Sequence, residues 1–284
     1  MAAVVLALCF GIPLFKLLWF AVHDELYSYI PLIPIVSVYL VWSRRQNLPA
    51  YSGASAKTAF VFFAGGLATV AGYWLAVHFN SKLAVEDSLA LTIPAFLFFF
   101  TGAGFLFLGK EILRAIAFPV ALLIFIVPLP AFLRDMIDTF LQHGSAAVAN
   151  GLFTVSGLPF FREGLVFHLP GINLQVAPEC SGIHSTVVLL ITSLVAGFLF
   201  LRSPWRRTIL CLAVIPLALL RNGFRIFVIG QLCVRISPDM INSPIHRRGG
   251  PLFFLLSLIP FFLFLIFLIK CERRSGKSSP QTKI

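Results

Sequence analysis

The sequence predicts an all-α polytopic membrane protein of about eight transmembrane helices, and three observations carry that expectation. Of its 284 residues, 59% are hydrophobic and only 12% charged, whereas about a quarter of a soluble domain is charged. Eight stretches approach the ~20 apolar residues that cross a hydrocarbon core. The charges between those stretches are sorted by side. Removing the apolar runs leaves no soluble domain, so the reading is a single integral-membrane domain over 1–270 with a basic tail at 271–284.

The expected spans are approximately 2–22, 26–43, 59–79, 89–109, 112–130, 182–201, 207–232 and 251–270. The first resembles a signal peptide, but Lys16 lies inside it and no A-x-A cleavage site follows, so it reads as a retained span. The second is the shortest, and Pro31 and Pro34 make its outer end irregular.

With the N-terminus inside, thirteen Lys and Arg fall on the cytoplasmic side and six on the other, as the positive-inside rule requires. Both termini are then cytoplasmic. The net charge of +11 would suggest a nucleic-acid partner in a soluble protein; here it reports topology, and the expected surroundings are a lipid bilayer.

Residues 131–179 lie on the outer side and are too polar to cross. Apolar residues at 133, 136, 137, 140, 141, 148 and 152 follow a helical period and predict an amphipathic helix at the interface. The stretch "REGLVFHLPGINLQVAP" alternates around Pro170-Gly171 and predicts a short β-hairpin. That hairpin delivers the chain to Cys180.

Cys180 follows Pro178 at the mouth of the sixth span, where helix N–H groups and the macrodipole favour a thiolate. The other cysteines, at 9, 211, 233 and 271, form no CxxC pair and no metal-ligand spacing. By itself Cys180 reads more readily as a small apolar packing residue than as a nucleophile. The seventh span adds Arg221 and Arg225, four residues apart and so on one helix face, with Asn222 beside them. Charges inside a span are costly and face a partner or a wet cavity. Arg225 lies eighteen residues after Arg207, or ~27 Å along a helix, close to the outer boundary. His246 lies five residues before the eighth span, also at the outer edge. A thiol, a base and a cation at one leaflet are the parts of thiol acyl transfer. No metal or other cofactor is called for.

At these residues the sequence resembles the exosortase/archaeosortase family of membrane transpeptidases. The likeness runs through "YSYIPLIPIVSVYLVWSRR", "FPVALLIFIVPLP", "APECSG", "NGFRI" and His246 with Gly250 four residues on. The resemblance implies Cys180, Arg225 and His246 as catalytic residues. Archaeosortases have arginine in the third place, so the histidine favours the bacterial exosortase branch. The resemblance further implies secreted, membrane-anchored substrates with a C-terminal sorting signal of PEP-CTERM type: a short motif, a transmembrane helix and a basic cluster. A cysteine thioester would pass the substrate to an acceptor nucleophile or to water.

The sequence departs from that pattern at three places. Glu179 precedes the cysteine where a small residue is expected, and Arg221 replaces the small residue usual before the asparagine. His184 lies four residues after Cys180 and competes with His246 for the role of base, at a position one turn into an apolar span where charge is costly. Ser181 and Gly182 complete the supporting set. Two other readings stay open: a transporter or flippase for an anionic substrate, and a membrane acyltransferase acting on lipid or polysaccharide.

Overall fold

The computed structural model describes residues 6, 8–51, 53–79, 83–178, 181–242 and 250–277. Two compact units divide the chain between Arg134 and Asp135. Six described helices, counted with their flanking turns, are long and apolar enough to cross a membrane, or seven if one broken pair counts as a single span. With the small sheet described below, this is an all-α polytopic membrane protein.

The first unit contains α1 (Gly11–His23), α2 (Leu32–Arg44), α3 (Ala56–Phe79), α4 (Val85–Phe107), α5 (Lys110–Ala115) and α6 (Ala117–Leu122), with a 3-10 turn at Leu123–Ile126. A second 3-10 turn at Glu25–Tyr27 precedes α2, which is the irregular outer end expected around Pro31. Here α1 is shorter than a full span, although part of the expected 2–22 stretch lies outside the described residues. The expected 112–130 span is a chain of short helices. Its break at Ile116 falls three residues before Pro119, whose ring has no N–H for the Ala115 carbonyl and so sits in the first turn of a new helix.

At the end of this unit the next helix, α7 (Ala131–Ser156), begins. Asp87 Oδ1 accepts the Ala131 N–H at 2.9 Å, and the Arg134 guanidinium lies 2.6 Å from both Glu86 oxygens. These bonds satisfy one orphan donor of the helix start and pair an acid and a base that would be costly apart in an apolar setting.

The second unit takes α7 onward from Asp135. Strands β1 (Phe161–Glu163), β2 (Val166–Leu169) and β3 (Ile172–Gln175) follow, then α8 (Ile183–Phe200), α9 (Pro204–Leu212), α10 (Val214–Arg235) and α11 (Gly250–Lys277). The expected hairpin is β2–β3, with Leu169 opposite Ile172 across Pro170-Gly171. Gly171 has φ +81°, a backbone that suits glycine after proline in a tight turn. Strand β1 pairs antiparallel on the far side of β2, one strand more than the alternation suggested. Residues alternate in and out along β2, so Phe167 and Leu169 face inward with Leu174 and Val176. They join Ala146, Ala149 and Phe153 of α7 and Ile226, Ile229 and Cys233 of α10 in one buried cluster.

Helix α9 gives way to α10 at Ala213, again three residues before a proline, Pro216. At the opposite end of the unit, the Glu272 carboxylate of α11 accepts the N–H groups of Arg202 and Ser203 at 3.0 and 2.8 Å and lies 3.3 Å from Arg206 Nη1. The short α8–α9 link is thereby fastened to the last helix.

Helices α7 and α10 meet through two glycines seven residues apart, hence on nearly the same face. A Cβ on Gly223 would lie 2.5 Å from Val148 Cγ1 and 2.9 Å from the Ser145 carbonyl oxygen, and one on Gly230 would lie 2.5 Å from the Phe153 ring. Gly223→Val is therefore expected to destabilise the protein by ~1–3 kcal/mol, because Val148 and the Ser145 backbone of α7 resist displacement. Gly72→Val, where a Cβ meets nothing within 4 Å, should stay within ~0.5 kcal/mol. The check is the thermal midpoint of each variant in detergent; equal midpoints would contradict the close approach.

Candidate active site

The site elements all belong to the second unit. Strand β3 carries the chain toward Pro178, and the Ser181 N–H donates to the Pro178 carbonyl at 2.9 Å. Glu179 and Cys180, between these two residues, lie outside the described residues, as does His246. Helix α8 starts at Ile183 with Gly182 as its N-cap. Its first turn therefore begins three residues beyond Cys180 in sequence, later than the apolar run alone suggests.

Gly182 explains the glycine of "CSG" twice over. Its φ is +75°, a left-handed backbone that a side chain would strain, and a Cβ there would lie 2.8 Å from Arg221 Nη2. That Nη2 donates to the Gly182 carbonyl at 3.1 Å and approaches Thr186 Oγ1 at 3.5 Å. Asn222 Nδ2 donates to the Ser181 carbonyl at 3.0 Å and to Ser145 Oγ at 3.1 Å. The Ser181 hydroxyl donates to Asp138 Oδ1 at 2.5 Å and accepts the Ile183 N–H at 3.3 Å. Ser181, Ser145, Arg221 and Asn222 are all buried. The dipeptide that follows Cys180 is thus held by three side chains from two helices.

The two arginines face different neighbours. Arg221 is only 8% exposed and lies against the start of α8. Its Nη1 is buried and has no hydrogen-bond partner among the described residues. Arg225 is half-buried and lines a narrow cleft with Asn222, Ile226 and Ile229 of α10, Leu174 and Gln175 of β3, and Val176 just after that strand. Arg225 therefore lies beside the chain that leads into Cys180, and Arg221 and Asn222 lie against the chain that leaves it.

His184 is the second residue of α8 and half-buried. It sits in the first turn, shallower than one turn into the span. Of the other cysteines, Cys233 is buried in the cluster beneath the sheet, Cys211 is half-buried and Cys9 is exposed. Among the described residues, no three His, Cys, Asp or Glu gather where they could hold a metal ion.

Asp138 and Ser145 were missed by sequence reasoning. They stand 43 and 77 residues from their partners Ser181 and Asn222, and contacts of that separation leave no local pattern. The one available signal was polar residues within the apolar period of α7.

A polytopic helical membrane protein with a small strand layer ahead of a Ser181-Gly182 pair, braced by an arginine-bearing helix, defines the class. A family model described as transmembrane exosortase matches residues 19–263, most of the chain, and the chain belongs to that family. No curated protein and no solved structure matches it.

Proposed function

We propose that this exosortase is a membrane-embedded cysteine protease and transpeptidase. It acts on secreted proteins held by a C-terminal transmembrane helix, behind a PEP-CTERM-like motif and ahead of a basic cluster. The proposed site faces the outer side of a bacterial inner membrane, with both termini in the cytoplasm. What supports the reading most is the placing of the residues on either side of Cys180 in the sequence. Arg225 lines a cleft with Val176, four residues before the cysteine, while Arg221 and Asn222 bind the carbonyls of the two residues after it.

In the proposed reaction the Cys180 thiolate attacks the carbonyl ahead of the substrate helix, and Arg225 stabilises the oxyanion that develops. His246 takes the thiol proton and returns it to the departing amine as the C–N bond breaks. The remaining thioester passes its acyl group to an acceptor nucleophile or to water.

The test is the processed-to-precursor ratio over time for a secreted reporter carrying such a tail. His246→Ala is expected to stop processing while Cys180 still reacts with a small electrophile. His184→Ala is expected to slow it by less than about tenfold, roughly 1.4 kcal/mol of barrier, since an imidazolium in the first turn of α8 would face the positive end of a helix. A dead His184→Ala with an active His246→Ala would overturn the assignment of the base to His246 and place it at His184. A wild-type protein that leaves every such tail intact would overturn the function.

A further inference from the structure

The first unit contains a feature that the proposed chemistry does not use. Helices α3, α4, α5 and α6 enclose an apolar groove of about 520 Å³. Its wall is aromatic, with Phe62 of α3 and Phe98 and Phe105 of α4, and Pro94 of α4 also faces it. At one end stand Lys110 and Arg114, four residues apart on α5 and so on one face. Both are exposed, and among the described residues neither side chain has a hydrogen bond or an ion pair. The seat of α5 is tight, because a Cβ on Gly104 would lie 2.9 Å from Leu113 Cδ1. The two cations are therefore held at the end of the groove by a packed helix.

We infer that this groove binds an anionic glycerophospholipid, one acyl chain lying along the phenylalanines and the headgroup phosphodiester between Lys110 and Arg114. Two observations select that occupant. An α-helix with its side chains is ~10 Å across and rises 1.5 Å per residue. It fills ~120 Å³ per residue, so the groove would hold about four residues of a helix, whereas its volume falls in the range of small-ligand sites. Two cations without a counter-ion at the end of an apolar slot complement a molecule with an anionic head and an apolar tail; basic pockets between membrane helices take such headgroups. The inference is independent of the proposed catalysis, since every groove residue belongs to the first unit.

The experiment uses the full chain in nanodiscs of equal parts phosphatidylglycerol and phosphatidylcholine, extracted into mild detergent, with retained lipid read by native mass spectrometry. Wild type should retain phosphatidylglycerol over phosphatidylcholine by at least about tenfold, in keeping with two basic residues at the headgroup. The double variant Lys110→Gln/Arg114→Gln should keep a bound lipid but lose the preference. Ala121→Trp, which places an indole in the groove from an exposed position of α6, should lose lipid of both kinds; Ala117→Phe, on the same wall, repeats that arm. Circular dichroism and a monodisperse elution profile confirm folding. Equal retention of the two lipids by wild type, an unchanged preference in the double variant, undiminished lipid in both folded groove-filling variants, or a co-purifying apolar peptide in place of lipid would each overturn the assignment.

Discussion

Cys180→Ala is expected to abolish processing of a tail-anchored reporter, by at least ~10³-fold or about 4 kcal/mol of barrier, with protein level unchanged. Without the thiol no acyl-enzyme forms, and what survives is binding and oxyanion stabilisation around an absent nucleophile. Cys180→Ser should be nearly as inactive, because a hydroxyl is a far weaker nucleophile than a thiolate unless a strong base activates it. Cys211→Ala is the control. That thiol lies in α9, half-buried, with the Ser193 hydroxyl 3.5 Å from its sulfur, and its loss should leave processing intact. The measurement is the precursor-to-product ratio in membranes. Processing by Cys180→Ala at the wild-type rate would remove the thiol mechanism.

The second large effect separates the two arginines. Arg225→Lys is expected to lower processing by at least ~10²-fold, about 2.7 kcal/mol. A lysine offers a point charge in place of the planar fork that can hold a carbonyl oxygen through two parallel bonds, and the narrow cleft beside β3 leaves little freedom to compensate. Arg221→Lys should lose less than about tenfold. Its Nη2 meets the Gly182 carbonyl and Thr186 Oγ1, and an ammonium can keep one of these. Because Arg221 braces the turn, its variant should also lower the thermal midpoint, a change not expected for Arg225→Lys. Equal losses of processing at both positions would mean that one role is wrongly assigned.

Much of this arrangement was legible in the sequence, for physical reasons. Apolar length marks membrane helices because the bilayer sets it, so the stretches at 59–79, 89–109 and 182–201 correspond closely to α3, α4 and α8. The β2–β3 hairpin was legible because Pro170-Gly171 fixes a turn and alternation fixes the faces. Continuity was less legible. Hydropathy counts residues without registering the hydrogen bonds that Pro119 and Pro216 delete, so two apparent spans hid breaks at Ile116 and Ala213. The bracing of Ser181 by Asp138, and of Asn222 by Ser145, depended on which helices pack together. Even the reason for Gly223 was hidden, since an intrahelical glycine shows its use only when Val148 is found against it.

The Glu272 carboxylate bears on where the polypeptide can be cut or extended. It closes the second unit like a latch, holding the α8–α9 link from a helix more than sixty residues further along the chain. A terminus placed ahead of Glu272 would leave the N–H groups of Arg202 and Ser203 without their acceptor and release the base of α8, the helix whose other end receives the chain from Cys180. Purification handles and fluorescent fusions therefore belong downstream of Glu272, beyond the last described helix, so that its carboxylate stays in place.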